Sequence, residues 1–150
     1  RDSDIAARVR RIREIIKKHN SVLVFTNTRE FSEILSSRLK ALDNPLPIET
    51  HHSSLSSDVR IHAEKKFRKS GIKALVCTSS LELGIDIGSI DMVIQYMSPR
   101  QVSKLLQRIG RSGHSIDKVS KGVIISTEPD DCFESSAIAW LASRGWVAST

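Results

Sequence analysis

Apolar residues follow two spacings along this chain, and the two alternate. Short apolar and β-branched runs predict five strands, at residues 21–26, 48–51, 73–78, 91–96 and 122–127. Around these runs, apolar residues recur three or four positions apart, as on one face of a helix. The five predicted helix faces are Ile5, Val9, Ile12 and Ile16; Phe31, Ile34, Leu35 and Leu42; Val59, Ala63 and Phe67; Val102, Leu105, Leu106 and Ile109; and Phe133, Ile138 and Leu141.

Helix ends are marked by capping and turn residues. Residues 98–101 predict the start of the fourth helix, because Ser98 can cap it and a proline follows. Asp131 and Glu134 have the spacing that caps the last helix. Gly71 is expected to stop the third helix.

Strands that alternate with helices, and that are mostly apolar on both faces, are typical of an α/β fold. The prediction is a mainly parallel sheet covered by helices on both sides, in a single domain over residues 1–150. Ligands of such sheets bind at the carboxyl ends of the strands. The loops after the strands are therefore the candidate site.

Composition and charge bear on the kind of partner the chain could bind. A net charge of +6 and a pI near 9.6 fit a polyanionic partner and fit a solvated basic face equally well. No apolar run approaches the roughly 20 residues that span a bilayer, so no membrane partner is expected. Cys77 and Cys132 have neither zinc-site nor disulfide spacing, and both are expected to be reduced, with Cys77 buried. The chain begins at Arg1 without a signal segment, so we expect a piece of a cytoplasmic protein.

The first two loops are rich in small polar residues. Thr26, Asn27 and Arg29 follow the first strand at a helix start, where free N–H groups attract phosphate oxygens. Taken alone, this segment is explained more simply as a helix cap. His52 and Ser53 follow the second strand and can contact a phosphate or a sugar. The remaining histidines offer no ligand spacing with them, so a metal site is disfavoured.

The third loop combines hydroxyl groups with a turn. Thr78 and Ser79 end the third strand and are suited to a backbone phosphate. Gly84 permits a tight turn that presents Asp86, which could accept hydrogen bonds from ribose hydroxyls. A lone G-x-D is otherwise an ordinary turn.

Two arginines three residues apart stand out near the end of the fourth helix. Arg108 and Arg111 lie between Gln107 and His114 in the segment QRIGRSGH. Guanidinium groups can stabilise the charge on a phosphoryl group in transfer, and Arg111 is the natural arginine finger. The alternative is surface arginines at a helix C-terminus, where cations are favoured.

Five segments, read in order along the chain, resemble motifs IV, IVa, V and VI of superfamily 2 helicases. They are VLVFTNTR, the His52 loop, FRKSG, CTSSLELGIDIG and QRIGRSGH. Three segments most resemble the large helicase-related (Lhr) family: TSSLELGIDIG, QRIGRSGH and the later EPDDCFESSAIA. The resemblance implies a three-layer, RecA-like C-terminal helicase domain. It also implies single-stranded DNA or RNA as the partner, movement along a single DNA strand with displacement of the paired DNA or RNA, and a link to DNA repair.

The resemblance assigns roles to individual residues. The implied nucleic-acid contacts are Thr26, Asn27, Arg29, His52, Ser53, Thr78 and Ser79. The implied nucleotide contacts are Gly84, Asp86, Gln107, Arg108, Arg111 and His114. Arg111 and Arg108 are the implied catalytic residues. His114 stands where many relatives carry a second arginine, so Arg111 carries more of the work on the γ-phosphate.

Two ATPase motifs are missing from the sequence. It contains neither G-x-x-x-x-G-K-[ST] nor D-E-x-[DH], which cradle phosphates and hold magnesium. In this superfamily the N-terminal RecA-like domain supplies both, so ATP and Mg²⁺ are expected mainly on that partner domain and this chain alone is expected to be inactive. The competing interpretations are a non-catalytic, nucleic-acid-binding RecA-like module and an unrelated flavodoxin-like domain.

Overall fold

The computed structural model describes residues 2–78, 87–109, 122–126 and 129–143. Its helices are α1 (Asp2–Lys17), α2 (Arg29–Lys40), α3 (Ser57–Arg68), α4 (Val102–Ile109) and α5 (Pro129–Ser143). Its strands are β1 (Val22–Phe25), β2 (Ile48–His51), β3 (Ala74–Cys77), β4 (Met92–Tyr96) and β5 (Gly122–Ile125). Within these ranges, no helix has both the length and the apolar character that crossing a membrane requires.

The five strands form one parallel sheet in the order β2-β3-β1-β4-β5. Every predicted strand is present, and each bound lies within two residues of its prediction. All the carboxyl ends point to the same edge because every neighbouring pair is parallel. The loops after β1, β2 and β4, and Thr78 after β3, therefore lie along that edge.

Helices cover both faces of the sheet, which confirms the predicted three layers. On one face, α1 and α2 pack on the strands through Val9, Ile12, Ile16, Leu35 and Leu39. On the other face, α3 packs through Ala63 and Phe67, and Cys77 is buried there as predicted. Leu105 of α4 and Ile138 of α5 pack against Ile124, which extends this second face over β5.

Helix α3 begins at Ser57 and differs from its prediction in the packing of one residue and in the residue that stops it. Val59, expected to pack, is 50% exposed. The left-handed residue that stops the helix after Arg68 is Ser70, with φ of 61°, and the expected Gly71 is the position after it. Ser70 N–H bonds to the Phe67 carbonyl at 3.1 Å and Gly71 N–H to the Lys66 carbonyl at 2.7 Å. These two bonds form a Schellman motif with serine at the left-handed position.

Replacing Ser70 with glycine is expected to raise the free energy of unfolding by about 0.5–1 kcal/mol. A Cβ in the left-handed region costs roughly 1–2 kcal/mol, and the greater freedom of glycine in the unfolded chain offsets part of the gain. Urea unfolding monitored by circular dichroism measures the change. Ser70→Ala keeps the Cβ and is the control; an equal gain from alanine would contradict the explanation.

The start of α4 is also corrected. Helix α4 begins at Val102, four residues beyond the predicted cap, because Ser98 is held by another helix. The Ser98 N–H donates to Asp131 Oδ1 at 2.7 Å, and its hydroxyl donates to Glu134 Oε1 at 2.5 Å. The same two carboxylates were expected to cap α5, which instead begins at Pro129. Asp131 and Glu134 therefore bind the β4–α4 loop.

Candidate nucleic-acid interface

The loops after β1 and β2 are joined at the carboxyl edge of the sheet. Arg29, the first residue of α2, donates from Nη1 to Ser54 Oγ at 2.5 Å. The Arg29 side chain is 60% exposed, and its Nε donates to Glu30 Oε1 at 3.2 Å. The β1–α2 loop and the His52 loop thus form one joined surface, which carries the guanidinium of Arg29.

Asn27 and its neighbours divide between surface and support. Asn27 is half-buried, and its Nδ2 donates to the Ser98 carbonyl at 2.7 Å. Thr26 is fully buried, with its hydroxyl 3.0 Å from the Thr28 carbonyl, and it presents no surface to a ligand here. Thr28 caps α2 by accepting from the Phe31 N–H. The helix-cap interpretation therefore holds for Thr28.

Glu30 lies beside Arg29 and keeps its charge. A backbone hydrogen bond, and then the hydrogen bond from Arg29, hold the pKa of the Glu30 carboxyl below its usual value. Its Oε1 lies 3.2 Å from Arg29 Nε. An incoming phosphate would therefore compete with Glu30 for the guanidinium.

Both histidines after β2 contact carboxylates. The His52 Nδ1 accepts from the Ser54 N–H at 3.3 Å, so its Nε2 carries the hydrogen and donates to Glu33 Oε1 at 2.6 Å. The buried His51 makes an equally short contact, 2.6 Å from its Nε2 to Glu64 Oε2. These pairs anchor the loop to α2 and to α3.

The remaining predicted contacts vary in accessibility. Ser53 is exposed at the joined surface, whereas Thr78 is buried at the end of β3. Ser79, predicted with them, lies outside the described residues. Direct nucleic-acid contact stays a prediction for Asn27, Arg29, His52, Ser53, Thr78 and Ser79, and for Thr26, whose side chain is buried.

The nucleotide-side predictions fall mostly outside the described residues, where Gly84, Asp86, Arg111 and His114 all lie. Gln107 is exposed on α4. Arg108 is 2% exposed, and its Nη1 donates to Gln95 Oε1 at 2.6 Å. The Arg108 guanidinium carbon lies 5.0 Å from the centre of the Phe25 ring. These contacts hold the Arg108 side chain against β1 and β4, and its role at the phosphates stays a prediction.

Gln95 is the residue at this site that the sequence analysis missed. It is fully buried in β4, and its Nε2 donates to Asn27 Oδ1 at 3.3 Å. Its Oε1 accepts from Arg108, so a single amide joins the β1–α2 loop to the last turn of α4. A single polar residue within the apolar strand MVIQY was the available signal.

Comparison with known proteins places these features in a family. Residues 7–115 match the model of the helicase conserved C-terminal domain. The ATP-dependent helicase Lhr-Core of Saccharolobus solfataricus is 50% identical over 85% of this chain, which spans 15% of that protein. The Lhr helicase/uracil glycosylase of Escherichia coli is 32% identical over 82% of this chain, which spans 10% of it.

Solved structures agree with the sequence comparison. The helicase Lhr of Mycobacterium smegmatis, bound to ssDNA and AMP-PNP, superposes with a TM-score of 0.87 and 35% identity, over 94% of this chain and 19% of that one. The C-terminal domain of the DEAD-box protein Dbp5 superposes at 0.72 with 24% identity, over 90% of this chain and 78% of that domain, and supports the fold alone. The predicted Lhr resemblance and RecA-like fold are confirmed.

Proposed function

We propose that this chain, which belongs to the helicase conserved C-terminal domain family, is the C-terminal motor domain of an Lhr-like, ATP-dependent helicase. It supplies the arginine finger, Arg111, and one side of a groove for single-stranded nucleic acid. The observation that carries the proposal is the joined surface of Asn27, Arg29 and Ser54 at the carboxyl edge of the sheet. A role in DNA repair stays a prediction.

The groove recognises phosphates. The groups at this edge are an exposed guanidinium, exposed hydroxyls and a half-buried amide, all of which can donate to phosphate oxygens. Such contacts make binding nearly independent of base sequence and strongly dependent on salt. They suit a motor that must step along any sequence, on DNA or on RNA.

ATP hydrolysis requires a second domain. This chain spans a small part of its relatives, 15% of the Saccharolobus protein, which leaves ample length for an N-terminal RecA-like domain. That domain supplies the phosphate loop and most of the Mg²⁺ ligands. Among the described residues, no group of three histidine, cysteine, aspartate or glutamate side chains is arranged to hold a metal ion.

Hydrolysis then drives movement along the strand. ATP draws the two domains together, and Arg111 reaches the γ-phosphate, where it stabilises the charge that develops during transfer. Release of phosphate reopens the cleft, and the loops at the carboxyl edge of the sheet take new phosphates. Arg111 is the proposed finger, and Arg108, held against Gln95 and Phe25, is the proposed supporting arginine.

Mixing the two halves of the helicase tests the function. The chain, an N-terminal RecA-like half and an oligo-dT strand are combined, and phosphate release is followed. Turnover is expected in the mixture and in neither part alone. A mixture that binds oligo-dT but never releases phosphate would favour the competing interpretation, a non-catalytic binding module.

Arg29→Ala is expected to weaken oligo-dT binding about tenfold at low salt and to reduce the slope of log affinity against log salt by about 0.7, because one phosphate contact is lost. Fluorescence anisotropy of labelled oligo-dT measures both quantities. Arg11→Ala removes the same charge from an exposed position on α1. If both variants weaken binding equally, net charge explains the result and the groove assignment is wrong.

A further inference from the structure

A directed chain of hydrogen bonds connects the proposed groove to α4. Arg108 Nη1 donates to Gln95 Oε1 at 2.6 Å, and Gln95 Nε2 donates to Asn27 Oδ1 at 3.3 Å. Asn27 Nδ2 then donates to the Ser98 carbonyl at 2.7 Å. Each amide accepts at its oxygen and donates at its nitrogen, so the bonds polarise one another in one direction.

Packing does not call for an amide at position 95. The register partners of Gln95 on the two neighbouring strands are Phe25 and Ile124, both apolar. A buried amide is costly unless its polar atoms are hydrogen-bonded. The Gln95 atoms are bonded on both sides, and a second contact runs from Nε2 to the Tyr96 carbonyl at 3.3 Å. Gln95 is thus matched to its polar partners.

The partners fix which way the Gln95 amide points. Arg108 offers only hydrogens, so it requires the Gln95 oxygen. Asn27 presents its own oxygen, so it requires the Gln95 nitrogen. A reversed amide would oppose donor to donor and acceptor to acceptor. The orientation of the Asn27 amide is therefore set, through Gln95, by the last turn of α4.

We propose that Gln95 is a positioning residue that couples nucleic-acid binding at Asn27 to the placement of Arg108 and the end of α4. The inference rests on the proposed function. A phosphate oxygen that accepts from Asn27 Nδ2 competes with the Ser98 carbonyl and reorients the Asn27 amide. Gln95 transmits that change to Arg108, three positions before the proposed finger.

The far end of the chain of bonds is fixed. The Ser98 N–H and hydroxyl bind Asp131 and Glu134 of α5. Met97 and Arg100, on either side, have φ of 69° and 71°, which only a well-held loop sustains in residues with a Cβ. Because the Ser98 end is clamped, a displacement of Asn27 acts on Gln95 and is not absorbed by the β4–α4 loop.

Two variants of the full-length protein separate coupling from packing. Gln95→Met keeps the volume and removes both bonds. Gln95→Glu keeps an acceptor for Arg108 and removes the hydrogen donated to Asn27. Ser36→Ala, a buried polar site on α2 outside the chain of bonds, is the matched control. Thermal unfolding of each variant identifies those that fold, and Gln95→Glu serves if Gln95→Met does not.

Two ratios measure the coupling between nucleic-acid binding and the nucleotide. One ratio is the ATPase rate with oligo-dT over the rate without it. The other is the oligo-dT dissociation constant without AMP-PNP over the constant with it. Linkage requires the effect of oligo-dT on AMP-PNP affinity to change by the same factor as the second ratio, and it does not constrain the ATPase ratio, which is kinetic. Both Gln95 variants are expected to reduce each ratio about tenfold, within the usual range of coupling energies. Ser36→Ala should change neither ratio and should keep the basal rate near that of the wild type.

If Gln95 has only a structural role, the expected result differs. Basal and stimulated rates would then fall by one factor, both ratios would stay near the wild-type values, and the inference would be overturned. If oligo-dT stimulates the wild type and both variants retain the wild-type ratios, this inference alone fails. A wild-type protein that hydrolyses no ATP would overturn the proposed function, and this inference with it.

Discussion

Replacing Arg111 with alanine in the full-length protein is expected to lower the rate of ATP hydrolysis about 10³-fold, while ATP still binds. An arginine finger stabilises charge that develops only in the transition state, and fingers account for roughly 10³–10⁵ in kcat. Phosphate release under saturating ATP and oligo-dT measures kcat. Equilibrium binding of a fluorescent ATP analogue measures the ground state.

One further variant separates the charge of Arg111 from the planar shape of its guanidinium, and a second variant is a control. Arg111→Lys keeps a positive charge without the planar fork, and most of the activity should remain lost. Arg10→Ala removes an exposed arginine of α1 and should leave kcat near the wild-type value. Hydrolysis by Arg111→Ala at the wild-type rate would exclude Arg111 as the finger.

The positions of the strands along the chain could be predicted because burial and spacing determine them locally. Strands covered on both faces are apolar throughout, so β1 and β3 are visible as short runs such as VLVF and ALVC. The joined surface of Arg29 and Ser54 also follows from the sequence in outline, since parallel strands end at one edge. Neither prediction requires knowledge of distant contacts.

Helix ends that depend on distant partners could not be predicted. Ser98 looks like a cap in the sequence, but carboxylates 33 and 36 positions later bind it, and α4 begins at Val102. Helical spacing alone placed Val59 and Phe133 among packed residues, yet they are 50% and 79% exposed. Spacing identifies a face but not whether another element covers it.

Some residues of the candidate site could be predicted from the sequence, and others could not. Residue types at the ends of the strands identified Arg29 and His52, because phosphate recognition needs donors there. Gln95 was missed because its value depends on two partners, Asn27 and Arg108, from other elements. The burial of Arg108 was likewise hidden, since arginine is seldom fully buried.

Arg108→Ala is expected to lower the free energy of unfolding of this chain by about 2–4 kcal/mol. The variant loses the contact with the Phe25 ring, worth roughly 2 kcal/mol when desolvated, and leaves Gln95 Oε1 buried without its donor, at a cost of about 1–3 kcal/mol. Partial relaxation around the lost side chain keeps the total below the sum. Urea unfolding measures the difference.

The adjacent residue provides the control, because Gln107 lies on the same helix and is exposed. Gln107→Ala should change the free energy of unfolding by less than about 0.5 kcal/mol. A double-mutant cycle of Arg108→Ala with Gln95→Met isolates the bond between the two side chains, and residues in such contact couple by roughly 0.5–3 kcal/mol. Additive losses would mean that Arg108 stabilises the chain through Phe25 and packing alone. A coupling within that range would identify the Arg108–Gln95 bond as the tie that holds the end of α4 against the sheet.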